Sequence, residues 1–338
     1  MPVANPAEFV IAVDAGGTHT RVACFGPDGS LLAGSRGRGG SPNHNHDAAE
    51  NVAATLAAAL ATGNLDPAHA IGLVAGSAGI SRRGSNQGRG SNDWADTYYA
   101  LPSLDCPRVV VNDAVIAHRG ALVGEPGVIV VAGTGSMILA ITDDGDEIES
   151  GQFEHYAGGA RHVVFDVMHH ILSGAVDDQD DRLVTEILEY WRAADVAELR
   201  RIILGLSSTD RNDVKRLYGD LAPAVTAAAE TSPLADAALC TLAEKTARGV
   251  LVLAPSIRVE PVPVAVTGAL ASDPAFTQRF EDALAAEGGS SIRLVPPRLD
   301  PLGGAAILAY ELAGFTPDRV PVSRLAASTS ARVLTRQP

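Results

Sequence analysis

Lysine is almost absent from this chain. Only Lys215 and Lys245 occur among the 338 residues, so arginine carries nearly all of the positive charge. The 26 basic residues face 40 acidic ones, which leaves a formal net charge of -14 at pH 7. A protein with this charge repels a nucleic-acid backbone and an anionic membrane surface on average. We therefore expect neither nucleic acid nor a membrane as a partner.

Cysteine is also scarce. Cys24, Cys106 and Cys240 lie far apart, without a CxxC pair or a Cys/His cluster at the spacing of metal ligands. They are typical of small core residues in a reducing compartment. No window approaches the roughly 18 uninterrupted apolar residues of a membrane span, and the start MPVANPAEF lacks the features of a secretion signal. We expect a cytoplasmic protein.

Two familiar nucleotide-binding motifs are missing as well. There is no GxxxxGK[ST], and no GxGxxG lies between a predicted strand and a helix. What is present is VDAGGTHT (residues 13–20) and GTGS (Gly133–Ser136), each between two predicted strands. Glycines allow a tight turn whose bare N–H groups, with neighbouring hydroxyls, can cradle phosphate oxygens. Either turn alone is explained by a hairpin, but the pair indicates a phosphate site built without lysine.

Apolar alternation and turn residues predict two strand meanders, each opening an α/β unit. The predicted meanders are Phe9–Asp14, Arg21–Gly26 and Leu31–Ser35, and then Gly127–Ala132, Met137–Thr142 and Glu147–Gln152. Further strands are predicted at Ile71–Ala75, Arg108–Asn112, Val262–Thr267 and Ser291–Val295, and helices at Ala48–Ala61, Ala114–Leu122, about 181–253, Pro274–Glu287 and Gly303–Ala313. The repeated pattern suggests an internal duplication. Arg82–Asn92 is predicted to be a mobile polar loop.

Four motifs carry a resemblance to a known superfamily. VDAGGTHT, VVVNDA (Val109–Ala114), VVAGTGS (Val130–Ser136) and VTGALASDPAF (Val266–Phe276) occur in the order found in actin, hexokinase and Hsp70 proteins. Over roughly residues 9–315 the chain resembles the BadF/BadG/BcrA/BcrD ATPase branch, which includes N-acetylglucosamine kinases. GSPNH (Gly40–His44) and PRLDPLGGAAILA (Pro297–Ala309) belong to the same resemblance.

The resemblance implies an α/β fold of two ribonuclease-H-like, actin-like ATPase domains with an interdomain cleft that closes on ATP and Mg²⁺. We expect an N-terminal domain over 1–121, with a closing helix at about 303–315 packed back on it. We expect a C-terminal domain with a helical insert over 122–302 and a peripheral tail over 316–338. We also expect a homodimer.

The resemblance also implies roles for residues of the two turns. Asp14 would act on hydrated Mg²⁺, as the metal residue of the site. The residues implied in cofactor binding are Gly16, Gly17, Thr18, Thr20, Gly133, Thr134, Gly135, Ser136 and Gly268. Gly268 corresponds to the glycine over which adenine lies, although the family more often has a second glycine where this chain has Ala269.

Asp113 resembles the catalytic base of the family. A sugar hydroxyl is too weakly acidic to attack phosphorus at neutral pH, so a carboxylate that accepts its proton assists the transfer. The alternative role of Asp113 is to cap the helix that starts at Ala114. Asn43 resembles the asparagine that contacts the sugar, and its alternative role is an Asx turn after Pro42.

The segment AGGARHVVFDVMH (Ala157–His169) departs from the family pattern, which is close to GGWGxxxGDEGS. Gly158, Gly159 and Asp166 keep the register, and Gly159 and Asp166 would contact the substrate. Ala160 stands where the aromatic residue is usual and Val167 where the acidic residue is usual. Arg161, Phe165 and Met168 replace the later glycines. Asp166 either hydrogen-bonds a sugar hydroxyl or is a polar position on a helix that begins near His162.

Three hypotheses for function follow. The first is an ATP-dependent kinase that transfers the γ-phosphoryl group to a hydroxyl of a sugar or sugar-like small molecule, with Asp113 as base. The second is a non-catalytic sensor that binds ATP or a sugar. The third, less favoured, is an ATPase activator of a dehydratase or reductase, which needs cysteines for an iron–sulfur cluster.

Overall fold

The computed structural model describes residues 8–80 and 103–330, and the predicted loop Arg82–Asn92 lies outside them. The chain divides into two compact units. Unit 1 combines the part of the chain up to Glu125 with the part from Pro296 onward, and unit 2 is Pro126–Val295. The chain therefore leaves unit 1, builds unit 2 and returns to unit 1.

The regular elements follow in chain order. Unit 1 begins with β1 (Phe9–Ala15), β2 (His19–Phe25), β3 (Leu31–Arg38), α1 (Ala48–Thr62), β4 (Ala70–Ser77), β5 (Arg108–Asn112) and α2 (Asp113–Leu122). Unit 2 contains β6 (Gly127–Ala132), β7 (Ser136–Ile141), β8 (Glu147–Glu149), α3 (Ala160–Ser173), α4 (Asp181–Trp191), α5 (Val196–Gly205), α6 (Arg211–Ala228), α7 (Pro233–Leu253), β9 (Val262–Thr267), α8 (Pro274–Gly288) and β10 (Ile292–Leu294). Unit 1 ends with α9 (Pro301–Leu312) and α10 (Val322–Ser330).

The two sheets have the same construction. In unit 1 the order is β3-β2-β1-β4-β5, and in unit 2 it is β8-β7-β6-β9-β10. In each sheet the first three strands of the unit form an antiparallel meander, and the remaining two run parallel to the first. The predicted pair of meander-first units is present, and the mixed α/β fold class is confirmed.

Helices cover both faces of the unit 1 sheet, which explains why β1 reads as a continuous apolar run. Phe9, Ile11 and Val13 pack on one face in a cluster that includes Leu56 of α1. Val10 and Ala12 pack on the other face, with residues of α2 and α9 such as Ile116, Leu302 and Tyr310. The central strand is thus fixed from both sides, and the turn at its carboxyl end is carried on a rigid support.

In unit 2, α3 packs against α6 and α7. Its apolar residues Val163, Val164, Val167, Met168 and Ile171 recur at helical spacing and are all buried in the core of this unit. The same core includes Tyr218 and Val225 of α6 and Leu239 of α7. Among the described residues, no helix is long and apolar enough to cross a membrane.

Two predicted elements differ in the structure. The strand predicted at Glu147–Gln152 ends at Glu149, because the chain enters a 3₁₀ turn at Ser150–Phe153. Part of the segment predicted as a peripheral tail is helical, since α10 occupies Val322–Ser330. Leu325 of α10 is fully buried in the cluster formed with α9. Leucine side chains that leave water in this way stabilise the packed position of the helix.

Candidate active site

The turn Gly16–Thr18 connects β1 to β2 and is held by the segment that follows β3. The carbonyl oxygen of Gly16 accepts hydrogen bonds from the N–H groups of Gly40 and Ser41, at 3.1 and 3.2 Å. The side-chain amide of Asn45 donates to the carbonyl oxygen of Gly17 at 2.8 Å. Hydrogen bonds therefore join GSPNH and the first glycine turn into one structural unit.

Asp14 forms an ion pair beside this turn. Both Nε and Nη2 of Arg21 donate to Oδ2 of Asp14, at 3.1 and 2.6 Å. Nη1 of Arg21 donates to Oδ2 of Asp300 at 2.9 Å. Burial by itself lowers the pKa of Arg21, but the two carboxylates outweigh it and raise that pKa above its ordinary value. Oδ1 of Asp14 has no hydrogen bond within residues 8–80 and 103–330.

The two threonines of VDAGGTHT have different surroundings. Thr18 is exposed at the turn. Thr20 is fully buried, and its hydroxyl donates to the carbonyl oxygen of Arg38 at 2.8 Å. A side chain that is buried and satisfied by β3 stabilises strand pairing and does not face a ligand. The cofactor-binding role that the resemblance implies for Thr20 is at odds with this position.

The carboxyl ends of β1, β4 and β5 meet at one edge of the unit 1 sheet. The register pairs Asp14 with Gly76, and Gly76 with Val111. The segment just after β4 is fixed there by two side-chain amides. Asn43 donates to the carbonyl oxygen of Gly79 at 2.8 Å, and Asn112 donates to that of Ile80 at 2.6 Å. Asn43 therefore lies at the same edge as Asp14.

Asp113 is the first residue of α2 and not its cap. The N-cap is Asn112, whose side-chain oxygen accepts a hydrogen bond from the N–H of Ala114 at 2.8 Å. The alternative role of Asp113 as the cap is therefore wrong. A carboxylate in the first turn lies in the favourable field of the helix N-terminus. Asp113 is half-buried at the edge that carries Asp14.

The second glycine turn, Gly133–Gly135, connects β6 to β7 and meets the N-terminus of α3. The N–H of Gly133 donates to the carbonyl oxygen of Gly135 at 2.9 Å. The N–H of Ala160 donates to the carbonyl oxygen of Gly133 at 2.9 Å, and that of Arg161 to Thr134 at 3.3 Å. Two of the first N–H groups of the helix thus hold the turn in place.

Glycine is required where two further segments approach this turn. A Cβ on Gly159 would lie 2.3 Å from the carbonyl oxygen of Gly135. Gly268 follows β9 with φ of +111°, and a Cβ there would lie 2.3 Å from the carbonyl oxygen of Ala132. By contrast, a Cβ on Gly133 would meet no atom closer than 4.0 Å. Gly159 and Gly268 therefore pack against one side of the turn. The side at Gly133 has open space, which suits an anion.

His162 lies in the first turn of α3 and bonds to the residue before the helix. Its Nδ1 accepts a hydrogen bond from the N–H of Gly159 at 2.8 Å, so the proton of the neutral ring lies on Nε2. Burial, followed by the positive charges of Arg161 and Lys245, lowers the pKa of His162 below its ordinary value. The ring is neutral at pH 7. The N–H of Gly159, a residue predicted to contact substrate, is thus used within the protein.

A protein-family model matches the part of the chain that contains both turns. The model described as the BadF/BadG/BcrA/BcrD ATPase family matches residues 11–309. The chain belongs to this family. The match spans both glycine turns, Asn43, Asp113 and Gly268, and the predicted family resemblance is confirmed. A comparison with curated protein sequences found no match.

Solved structures show the fold of this BadF/BadG/BcrA/BcrD family member in other proteins. A Chromobacterium violaceum protein named as an N-acetylglucosamine kinase is 23% identical with a TM-score of 0.63, over 90% of this chain and 100% of its own. A Porphyromonas gingivalis protein with the same description is 12% identical with a TM-score of 0.64, over 94% and 99%. A Streptomyces griseus ROK family glucokinase, with glucose and AMPPNP, is 18% identical with a TM-score of 0.56, over 90% and 99%.

In this member of the family, the altered segment 157–169 is mostly helix. α3 begins at Ala160, two residues before the predicted start near His162. Val167 and Met168, at positions where the family pattern has an acid and a glycine, are buried in the core of unit 2. Asp166 is half-buried and lies four residues after His162, on the same face of the helix. Asp166 is thus a polar position of α3, and its contact with a sugar hydroxyl stays a prediction.

Several residues that support the site were missed in the sequence. Arg21 and Asp300 are 279 positions apart, and no local pattern indicates that they pair. Asn112 was overshadowed by its neighbour Asp113, although asparagine is as good a cap. Asn45 donates to the carbonyl oxygen of Gly17 in the first turn, and the hydroxyl of Ser41 donates to that of Ala78 after β4. Ser41 lies in GSPNH and Asn45 directly follows it, which was the only signal that could have indicated this.

Gly159→Ala is expected to disturb the second turn. The added Cβ would lie 2.3 Å from the carbonyl oxygen of Gly135 and 2.7 Å from that of Gly133, so the turn must move. Overpacking of this kind costs about 1–3 kcal/mol of folding free energy. Denaturant unfolding of Gly159→Ala measures it. Gly205→Ala is the comparison, since Gly205 ends α5 with φ of -67° and a Cβ there meets no atom of the described residues within 4 Å. Wild-type stability and nucleotide affinity in Gly159→Ala would contradict the packing described here.

Proposed function

We propose that this protein is an ATP-dependent kinase that transfers the γ-phosphoryl group to a hydroxyl of a sugar or sugar-like small molecule. The observation that carries the proposal is the placement of two carboxylates, Asp14 and Asp113, at one strand edge beside the Gly16–Thr18 turn. Family membership supports the use of ATP. The sugar kinases that share the fold support the class of acceptor.

Phosphate binding is assigned to each turn in its own unit. In unit 1, Gly16, Gly17 and the exposed Thr18 offer N–H and hydroxyl groups. In unit 2, Gly133, Thr134, Gly135 and Ser136 do the same at the N-terminus of α3, where the helix dipole favours negative charge. Gly268, whose Cβ-free backbone lies against Ala132, would support the adenine ring.

Asp14 would hold the metal. Magnesium keeps several waters and needs only one or two carboxylates when phosphates supply other ligands. A single carboxylate that binds Arg21 through Oδ2 and not Oδ1 fits that pattern. The described residues contain no group of three side chains of the kind that would enclose a metal alone. When bound, Mg²⁺ neutralises charge between the β- and γ-phosphates. Arg21 fixes the orientation of the Asp14 carboxylate.

Asp113 would accept the proton of the attacking hydroxyl. Because Asn112 provides the cap of α2, the Asp113 carboxylate is not needed for that task. Transfer of the γ-phosphoryl group forms a bond from the acceptor oxygen to phosphorus and breaks the bond to the β-phosphate oxygen. The hydroxyl proton goes to Asp113, and ADP leaves.

Asn43 and Asp166 would contact the acceptor. The amide nitrogen of Asn43 donates to the carbonyl oxygen of Gly79. This hydrogen bond fixes the Asn43 side chain, and with it the side-chain amide oxygen, at the sheet edge. Asp166 is the acid retained in α3. With Ala160 and Val167 in place of an aromatic residue and an acid, the segment lacks an apolar wall and a hydrogen-bond acceptor that the family pattern has.

We expect weak or absent activity on N-acetylglucosamine and turnover on another hydroxylated small molecule. A site built for hydrogen bonds discriminates by about 10⁴ when a partner group is missing. The measurement is ADP release with ATP and Mg²⁺ over a panel of sugars and polyols, at low and high salt. Efficient phosphorylation of N-acetylglucosamine would refute a retuned acceptor site. If ATP binds tightly and no acceptor is phosphorylated, the sensor hypothesis replaces the kinase.

The activator hypothesis is disfavoured by the surroundings of the cysteines. Cys24 and Cys106 are buried in the same core cluster of unit 1. Burial raises the pKa of the Cys24 thiol to about 12 and also raises that of Cys106. Cluster ligands must be thiolates, which these surroundings oppose. An iron assay on protein purified without oxygen tests the point, and stoichiometric iron would restore this hypothesis.

A further inference from the structure

Arg161 lies where the second glycine turn meets α3. It is the second residue of the helix, and its N–H donates to the carbonyl oxygen of Thr134. Its side chain folds back toward the turn, because a Cβ built on Gly135 would lie 3.8 Å from Nη1 of Arg161. Apart from the chain neighbours of Gly135, no other atom of the described residues comes within 4 Å of that Cβ position. The guanidinium therefore borders the open side of the turn.

Within the part of the chain that the structure describes, this guanidinium has no acidic partner. Three other arginines of unit 2 are paired with carboxylates: Arg279 with Asp236, Arg258 with Asp144, and Arg248 with Glu287. Across residues 8–80 and 103–330, no carboxylate pairs with Arg161 and no hydrogen bond from its guanidinium is present. Burial lowers the pKa of Arg161 below its ordinary value. A half-buried cation without a counter-charge is costly, and a bound anion would relieve that cost.

The field around Arg161 is positive. Lys245, one of only two lysines in the chain, is close enough to act with Arg161 in lowering the pKa of His162. The N-terminus of α3 adds a partial positive charge at the same place. The N-terminus of α3 and the Arg161 guanidinium therefore both favour an anion at the turn.

We infer that Arg161 is a phosphate-binding residue that supplies a cation to the Gly133–Ser136 turn. The inference rests on the proposed function, since it deepens the assignment of this turn to the phosphates of ATP. The planar guanidinium can give two parallel hydrogen bonds to phosphate oxygens, which an ammonium cannot. It provides in this chain the cation that a P-loop provides as lysine.

The test compares ligands that differ in the number of phosphates. Binding of ATP, ADP, AMP and inorganic tripolyphosphate is measured by calorimetry for the wild type, Arg161→Gln and Arg161→Lys. We expect Arg161→Gln to weaken ATP and tripolyphosphate binding by about 10- to 100-fold, as for loss of a charge-assisted contact. AMP binding should change by less than about twofold, and Arg161→Lys should lose less than Arg161→Gln. Higher salt should shrink the difference.

Arg182→Gln is the matched control, because Arg182 is an exposed arginine on α4 without an ion pair among the described residues. Thermal unfolding shows that each variant is folded. Unchanged tripolyphosphate and ATP affinity in folded Arg161→Gln would overturn the inference and leave the kinase proposal standing. A loss confined to the KM of an acceptor would also overturn it, since the anion would then belong to the acceptor. A wild-type protein that binds no nucleotide or polyphosphate would overturn both.

Discussion

Asp113→Asn should lower kcat by about 10²–10⁴ with little change in the affinity for ATP. The amide keeps the shape of the side chain but cannot take the proton of the acceptor hydroxyl. The fold should survive, because Asn112 still caps α2 through the N–H of Ala114. Loss of the first-turn charge costs only about 0.3–1 kcal/mol. Turnover of the best acceptor, nucleotide binding and thermal unfolding are measured on the same preparations.

Glu50→Gln provides the control for this substitution. Glu50 is also an acidic residue in the first turn of a unit 1 helix, and it is exposed. Its loss removes the same helix-dipole interaction without touching the sheet edge that carries Asp14 and Asp113. We expect Glu50→Gln to keep wild-type kcat. Near-normal turnover in Asp113→Asn would remove the base from the proposed mechanism, and an equal loss in both variants would point to helix stability.

The fold could be predicted largely from local signals. Apolar alternation with Gly-containing turns located both meanders, because hairpin turns and strand faces are written in neighbouring residues. Arg108–Asn112, Gly127–Ala132 and Val262–Thr267 have the predicted bounds. The strand predicted to continue past Glu149 failed because Ser150–Phe153 forms a 3₁₀ turn. That turn is stabilised by Ser150, whose hydroxyl donates to the carbonyl oxygen of His155, a contact outside any periodic pattern.

The candidate site was less predictable, because its supports join distant segments. The two glycine turns were visible as motifs. The contacts that hold them were not: Gly159 against Gly135, Gly268 against Ala132, and Asn43 with Gly79. Thr20 illustrates the limit, since a threonine after a glycine turn can face a ligand or the neighbouring strand. Only the pairing of β2 with β3 decides that its hydroxyl goes to Arg38.

Arg161 shows the converse case. In the sequence it stands only as a substitution for a family glycine in a segment that also lost an aromatic residue and an acid. Because α3 begins at Ala160, Arg161 lies at the second glycine turn. Its proposed role depends on that position. A helix that began at His162 would leave Arg161 outside its first turn. Element boundaries are the least predictable property of a sequence, and here a boundary decides a role.

Asp14→Ala should abolish turnover and flatten the dependence of activity on Mg²⁺. The reason is that Asp14 is the carboxylate proposed to hold the water shell of the metal between the β- and γ-phosphates. The substitution also removes the acceptor of two Arg21 hydrogen bonds, so a loss of about 1–3 kcal/mol in the free energy of unfolding is expected. Activity is therefore measured over a Mg²⁺ titration well below the unfolding temperature, together with Asp14→Asn, which keeps the shape of the side chain.

Asp300→Asn separates the metal from the ion pair. Asp300 holds the other side of Arg21 through Oδ2, while its Oδ1 caps α9 by accepting from the N–H of Gly303 at 2.9 Å. Asparagine keeps a capping oxygen and removes the charge that faces Arg21. We expect Asp300→Asn to lose stability but to keep a wild-type Mg²⁺ midpoint, because the Asp14 carboxylate is still present. A folded Asp14→Ala protein with the wild-type response to Mg²⁺ would remove Asp14 from the metal site. Matching losses of Mg²⁺ response in Asp14→Ala and Asp300→Asn would instead assign the effect to the position of Arg21.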